Sequence, residues 1–375
     1  MTKKVVLIGV FLAVMVISFL YGVAVPVYKL PPYRILNVLH DTIEKNTHID
    51  IIDVYPQVNV NSIISINNTD DIITKRTNLI QYIWKQNQFP YDALPTNVVT
   101  NFDDTRYSDL QNNLRIDKII TTMEYGVNST SYLFLAKNSN NKLVIYHQGH
   151  DGDFIIGKES IQYFLSNNYS VLAFSMPLVG LNNQPTVDLP GQGKIKLQTH
   201  DDLRFLETNQ FTPIKYFVHP IVTSLNYVDK HHHFDSYYMV GISGGGWTTA
   251  FYSALDTRIS KNYPVAGTAP LYLRFNNLKN MGDYEQMNLN VYKIVEYLDQ
   301  YIMASYGKNR EQLQIFNKFD PCCFSGTGYT TYEQAIKDRV LSLGQGNFSV
   351  FLDEDNNQHS ISDKSLEVIL TNMKK

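Results

Sequence analysis

Short hydrophobic runs alternate with segments of helical periodicity along most of this chain. A run of this kind predicts a buried strand, and strands that alternate with helices predict a mostly parallel sheet covered by helices on both faces. The predicted strands are 119–125, 131–135, 142–146, 170–174, 237–242, 263–267, 313–316 and 348–352. The predicted helices are 157–165, 212–228, 248–255, 332–343 and a last one from Asp363. We expect the first two strands to form an antiparallel hairpin at the edge of the sheet.

The pattern divides the chain into three parts. Residues 1–27 are largely apolar, residues 28–115 carry no chemical motif, and residues 116–375 contain the alternating strands and helices. Two stretches, 181–211 and 274–312, interrupt the alternation, and we expect these insertions to form a lid over the site.

The middle part is expected to pack on the main domain as a stalk or wrap. Helical spacing predicts one helix at 35–44, and Asp70 or Asp71 is placed to cap a second helix that runs to Trp84. Pro90 then breaks the pattern.

The N-terminus predicts a membrane segment. Lys3 and Lys4 precede Val5–Val25, a run without a charged residue that is long enough to cross a bilayer. Lysines before the run place the large polar body outside the cytoplasm. A cleaved signal peptide with a site near Ala24 is the alternative, in which case the protein is secreted; the length of the run favours an uncleaved anchor.

Composition narrows the class of protein. The chain has 375 residues, is 44% hydrophobic and carries a formal net charge of -3, so it can build a core but lacks the basic surface that nucleic acid requires. The two cysteines, Cys322 and Cys323, are adjacent, and because neighbours rarely pair we expect no structural disulfide.

The predicted strand 237–242 ends inside the motif Gly241-Ile242-Ser243-Gly244-Gly245, and a helix follows the motif. A Gly-x-Ser-x-Gly between strand and helix is typical of a sharp turn that lifts a serine hydroxyl clear of the sheet. Small residues on both sides give the strained turn room. Ser243 is therefore the candidate nucleophile.

A serine needs a base, and the base needs a carboxylate. His359 follows the last predicted strand and Asp320 follows the one before it, so both lie at the edge of the sheet where reacting groups gather. The chain order Ser243, Asp320, His359 suits this architecture. Asp283 or Glu285, in the second insertion, is the alternative acid.

An oxyanion needs two backbone N–H donors. Gly244 supplies the first, and the loop after the strand ending at Tyr146 supplies the second, through His150 or through Gly149 or Asp151. We expect the His150 side chain to support its loop without binding metal, because no carboxylate cluster lies near it in the sequence.

With these motifs in place, residues 117–375 resemble the α/β-hydrolase superfamily. Gly241–Gly245 resembles its nucleophile elbow, Tyr146–His150 its oxyanion loop, although the usual His-Gly start is altered, and Ser175–Gly180 the loop after its fourth strand. The resemblance implies the α/β-hydrolase fold, and the matching motifs do not identify a subfamily.

The sequence therefore predicts a membrane-anchored serine hydrolase of carboxylic esters or related acyl bonds. It needs no cofactor or metal, and its partners are a small ester or acyl substrate and the membrane, with no nucleic acid. A serine peptidase of the prolyl-oligopeptidase type is an alternative. A surface protein that keeps the fold for binding without catalysis is another.

Overall fold

A central sheet organises the protein, which is a computed structural model described over residues 54–275 and 280–375 and at positions 15, 18, 20 and 21. The chain divides into two compact units, residues 1–50 and 51–375, and every element below belongs to the second. Its strands are β1 Asn97–Val99, β2 Asn113–Thr122, β3 Asn128–Ala136, β4 Lys142–His147, β5 Ser170–Phe174, β6 Thr186–Leu189, β7 Gly193–Lys196, β8 Ser236–Ile242, β9 Ile259–Val265, β10 Glu311–Asn317 and β11 Asn347–Asp353.

Nine of these strands form one sheet in the order β1-β2-β3-β5-β4-β8-β9-β10-β11 within the described residues. The run from β5 to β11 is parallel, and the pairs β1–β2, β2–β3 and β3–β5 are antiparallel. The mostly parallel sheet is the predicted one. The predicted hairpin β2–β3 is antiparallel but is not the edge, because the short strand β1 pairs outside it.

The helices, numbered from the first after residue 54, cover both faces of the sheet. They are α1 Val60–Ile63, α2 Thr69–Trp84, α3 Lys158–Ser166, α4 Lys215–His231, α5 Gly244–Leu255, α6 Tyr284–Met287, α7 Leu289–Ile294, α8 Tyr297–Ser305, α9 Glu333–Ser342 and α10 Asp363–Met373. Alternate residues of a strand point to opposite faces, and the core separates accordingly. Ile145 belongs to the core cluster that contains buried residues of α2, α4, α5, α8 and α9, whereas Val144 and Tyr146 belong to a second cluster with residues of α3 and α10.

The part of the 28–115 extension that the structure describes packs into the main core. Helix α2 begins in a capping box in which Asn68 accepts from the Asp71 N–H and Asp71 in turn accepts from the Asn68 N–H. Asn68 is thus the cap, in place of the predicted Asp70 or Asp71. Leu79 and Ile83 of α2 are buried in the core. The helix predicted at 35–44 lies outside the described residues.

The two insertions have different structures. Residues 181–211 contain the two-stranded β6–β7 ribbon and a 3-10 helix, His200–Leu206, whereas the second insertion contains α6, α7 and α8.

The predicted membrane segment, residues 5–25, lies almost entirely outside the described residues. In the described part of the chain, no helix combines the length and the apolar character that crossing a bilayer requires.

Candidate active site

The turn at Ser243 joins β8 to α5 at the carboxyl end of the parallel strands. Ser243 has φ 57° and ψ -126°, a conformation that a residue with a side chain adopts at a cost of about 1–3 kcal/mol. Its backbone N–H donates to Val265 O at 3.0 Å, and its carbonyl accepts from Gly246 and Trp247. These bonds hold the strained turn between two strands and a helix.

Glycines around the turn let main chain pack against main chain. A Cβ on Gly241 would overlap the carbonyl of Gly245, and a Cβ on Gly245 would overlap the carbonyl of His147 at the end of β4. The sequence assigned these glycines the role of giving the turn room, and the structure shows which backbone atoms occupy that room.

Asp320 and His359 meet at the same edge of the sheet. Asp320 lies three residues beyond β10 and His359 six beyond β11. His359 Nδ1 lies 2.9 Å from Asp320 Oδ2 and 3.0 Å from Oδ1. Asp320 is buried, while the His359 side chain is 18% exposed. A carboxylate can only accept here, so Nδ1 carries the proton and Nε2 is the basic nitrogen.

The basic nitrogen of His359 is available. His359 Nε2 is buried and has no hydrogen-bond partner among the described residues, so the bond between Ser243 and His359 is not formed. Catalytic hydrogen bonds commonly tighten only when substrate is bound. Ile242, the residue before the serine, and His359 line one cavity of about 150 Å³.

Backbone and side-chain donors fix the acid. The N–H groups of Cys322 and Cys323 donate to Asp320 Oδ1 at 2.9 and 3.1 Å, and Asn317 Nδ2 lies 3.3 Å from Oδ2. The two cysteines are joined by a disulfide, which corrects the expectation that adjacent cysteines would not pair. The bond closes the turn that presents these two N–H groups.

Sequence reasoning missed Asn317, the last residue of β10. Its amide also donates to the carbonyls of Gln358 and Ser360 at 3.2 and 3.0 Å, on either side of His359. One side chain therefore ties the acid loop to the base loop. Its position at the carboxyl end of a strand, three residues before the acid, is the signal that could have found it.

The loop after β4 lies against the serine. A Cβ on Gly149 would crowd the Ser243 side chain, and one on Gly244 would overlap the His150 imidazole. In the described part of the chain, the N–H groups of Gly149 and His150 have no protein acceptor. The Gly244 N–H heads α5, where helices leave donors unpaired. These N–H groups lie on the turn at Ser243 and on the loop packed against it, the two segments from which the sequence predicts the oxyanion donors.

Asp283, the alternative acid, lies elsewhere. Asp283 Oδ2 is 3.2 Å from His150 Nε2, and Glu285 Oε1 is 3.1 Å from the same nitrogen. His200, from the first insertion, contacts Glu285 Oε2 through Nδ1 at 3.0 Å. The structure therefore brings Asp320, and not Asp283 or Glu285, to His359. It also brings carboxylates to His150, which the local sequence had not suggested.

Charge and burial set the ionisation of this second cluster. Burial alone would raise the pKa of Glu285, but the imidazoles of His200 and His150 outweigh it and hold that pKa far below its usual range. Burial alone would lower the pKa of His200, but Glu285 raises it on balance. His147 is buried and contacts no carboxylate among the described residues, and burial lowers its pKa to about 4.

No protein-family model and no curated protein sequence matches this chain. Among solved structures it is similar to acetyl xylan esterase 1 from Thermoanaerobacterium sp. JW/SL YS485, with a TM-score of 0.55, 12% identity and coverage of 85% of this chain and 98% of that one. It is also similar to acetyl xylan esterase from Paenibacillus sp. R4, with a TM-score of 0.53, 18% identity and coverage of 86% and 97%.

Identities this low show the fold alone. The mixed α/β fold with a large, mostly parallel sheet, which the sequence predicted, is confirmed as the fold that this chain shares with these esterases.

Proposed function

We propose that this protein is a serine hydrolase of carboxylic esters. The observation that carries the proposal is the pairing of Asp320 with His359 at the edge where Ser243 stands in an elbow conformation. His359 Nε2 removes the hydroxyl proton as Ser243 Oγ attacks the ester carbonyl, and it returns the proton to the departing alcohol. Asp320 holds the imidazole and stabilises its charged form.

The oxyanion is assigned to two backbone N–H groups. Gly244, the residue after the nucleophile, provides one, and the 149–150 loop provides the other, with His150 as the expected donor. Deacylation repeats the cycle with water, so the reaction needs no cofactor.

Small acyl groups are the expected substrates. The His150 ring and the Met176 methyl group lie against Gly244, because a Cβ there would meet both, and they limit the space beside the nucleophile. Two structures of the same fold are named acetyl xylan esterases, which agrees with a short acyl group.

Labelling with a fluorophosphonate tests the nucleophile directly. We expect the wild-type protein to be labelled at Ser243 and a Ser243→Ala variant to be unlabelled, while Ser253→Ala, in the helix that follows, keeps the label. Absence of labelling in folded wild-type protein would contradict catalysis and favour the binding-protein alternative. A panel of p-nitrophenyl esters of increasing acyl length and proline-containing peptide amides then separates esterase from peptidase.

We also propose that residues 5–25 anchor the chain with its catalytic part outside the cytoplasm. The uncharged run and the lysines before it support this proposal, as does the Cys322–Cys323 disulfide, since disulfides persist in oxidising compartments. Full-length protein should remain in membranes after carbonate washing, and its catalytic part should be digested by protease added outside intact cells. Release by carbonate would contradict the anchor.

A further inference from the structure

The cluster formed by His150, His200, Asp283 and Glu285, here called the rim cluster, has no role in the proposed triad. One candidate ligand atom from each residue lies within 4.8 Å of every other. The residues come from three segments far apart in sequence, which are the loop after β4, the 3-10 helix of the first insertion and the start of α6. From this convergence we infer that the rim cluster is a binding site for a divalent transition metal, with zinc as the ion that it fits best.

The distances between the four side chains fit four-coordinate zinc. Zn–N and Zn–O bonds of about 2.0–2.2 Å in a tetrahedron place neighbouring ligand atoms roughly 3.3–3.6 Å apart. His150 Nε2 lies 3.1 Å from His200 Nδ1, 3.1 Å from Glu285 Oε1 and 3.2 Å from Asp283 Oδ2. His200 Nδ1 lies 3.0 Å from Glu285 Oε2 and 3.8 Å from Asp283 Oδ2. These separations, measured to Oε1 of Glu285 from His150 and to Oε2 from His200, lie on both sides of the tetrahedral edge.

The second nitrogen of His200 supports the same assignment. His200 Nε2 donates to the carbonyl of Pro177 at 2.9 Å, so Nδ1 is the nitrogen that faces the cluster and would bind the ion. Histidines that bind metal characteristically donate their other N–H to a carbonyl or carboxylate. A shared proton can bridge only two of the four side chains. A divalent metal ion can bind both imidazole nitrogens and neutralise both carboxylates at the same time.

Burial and ligand type narrow the choice of ion. The side chains of Glu285 and His200 are 0% and 2% exposed, whereas His150 and Asp283 are 28% and 47% exposed and leave a route for entry. Imidazole nitrogens favour zinc and its neighbours over calcium or magnesium, which prefer oxygen ligands. Four protein ligands complete the coordination of zinc, which makes this a structural site.

The ion would link both insertions to the loop that carries the proposed oxyanion donor. The His150 ring lies against Gly244, so holding that ring also positions the backbone of residue 150. This consequence for turnover rests on the proposed function, whereas metal binding itself does not.

Metal content of the full-length protein tests the inference. After incubation with Zn²⁺ and dialysis against metal-free buffer, we expect close to one zinc ion per wild-type chain by plasma mass spectrometry. His233→Ala, which removes an 88% exposed histidine outside the cluster, should keep that stoichiometry. His200→Ala and Glu285→Gln should lose it. Asp283→Asn changes a half-exposed ligand and should raise the zinc dissociation constant at least about tenfold.

Wild-type protein that retains no zinc, or that retains as much as the His200→Ala variant, would overturn the inference. Preferential retention of Ca²⁺ or Mn²⁺ from an equimolar mixture would overturn the assignment to zinc. Circular dichroism identifies variants that fail to fold. If His200→Ala and Glu285→Gln do not fold, the zinc content of the wild-type protein and the zinc affinity of Asp283→Asn still test the inference. Fluorophosphonate labelling of Ser243 is measured separately, so failure of metal binding and failure of the proposed function can be distinguished.

Discussion

Two clusters of histidine and carboxylate lie at the same edge of the sheet, and they differ in whether an imidazole nitrogen is free of hydrogen-bond partners. In the pair Asp320–His359, one nitrogen faces the acid and the other has no partner in the described part of the chain. In the rim cluster, His150 Nε2 is surrounded by His200, Asp283 and Glu285, and both nitrogens of His200 are engaged. A general base needs a free nitrogen, so the first arrangement suits proton transfer and the second suits holding an ion or joining loops.

The largest expected effect distinguishes the two candidate acids. Asp320→Asn should lower kcat about 10⁴-fold, because the amide stabilises neither the correct tautomer nor the charged imidazole. Asp283→Asn should cost far less, since Asp283 contacts His150 and not His359. Initial rates on a p-nitrophenyl ester measure both. The reverse ranking would assign the acid to Asp283.

The next effect concerns stability. Glu285→Gln should lower the free energy of unfolding by about 3–5 kcal/mol, because it removes a buried charge and leaves its partners unpaired. Asp283→Asn, at a half-exposed position, should change it by less than about 1 kcal/mol. Urea unfolding with unchanged m-values checks both. Equal losses of unfolding free energy in the two variants would show that the difference in burial between Glu285 and Asp283 does not determine their contributions to stability.

Removing the link between the acid and base loops should have an intermediate effect on catalysis. Asn317→Ala should lower kcat roughly 10–100-fold and leave KM nearly constant, because small displacements of catalytic groups are costly and substrate contacts are unchanged. Asn262→Ala is the matched control, since Asn262 bonds the carbonyls of Ala304 and Glu311 at the opposite end of β10. A similar loss of kcat in the control would point to general destabilisation.

The last effect depends on pH and comes from His147, an imidazole at the same edge that contacts no carboxylate among the described residues. Its pKa is lowered to about 4 in the folded protein, so between pH 6.5 and 4 the unfolded chain binds a proton that the folded chain does not. Stability should therefore fall as the pH decreases through that window, by at most about 1.4 kcal/mol per pH unit from this group. His147→Gln should flatten the slope of urea stability against pH. An unchanged slope would contradict burial of a neutral imidazole.

The fold and the placement of Ser243, Asp320 and His359 at one edge of the sheet could be predicted from the sequence because both depend on local patterns. The buried strand at 170–174 begins and ends where the hydrophobic run does, and the elbow at Ser243 is recognised from neighbouring residues alone. His359 and Asp320 follow their strands closely, so the parallel sheet brings them to one edge. Their roles in catalysis stay predictions until the variants are measured.

The rim cluster could not be predicted from the sequence, because it depends on contacts between residues far apart in the chain. His150 and Glu285 are 135 residues apart, and His200 stands in an insertion whose course no local pattern determines. Edge strand β1 was missed because its three residues are too short a run to show alternation. The disulfide was misjudged because a general rule about neighbouring cysteines carried no information about the turn at Asp320.

The close approach of Gly245 to the end of β4 also bears on how the proposed activity can be altered. Because Gly245 meets the backbone carbonyls of His147 and Gln148, its spacing from the end of β4 does not depend on which side chains line the substrate cleft. Residues of either insertion outside the rim cluster can therefore change with the substrate and leave the turn at Ser243 intact, whereas the rim cluster also holds the His150 ring against Gly244. Substitution at Gly241 or Gly245 would instead end activity for every substrate at once.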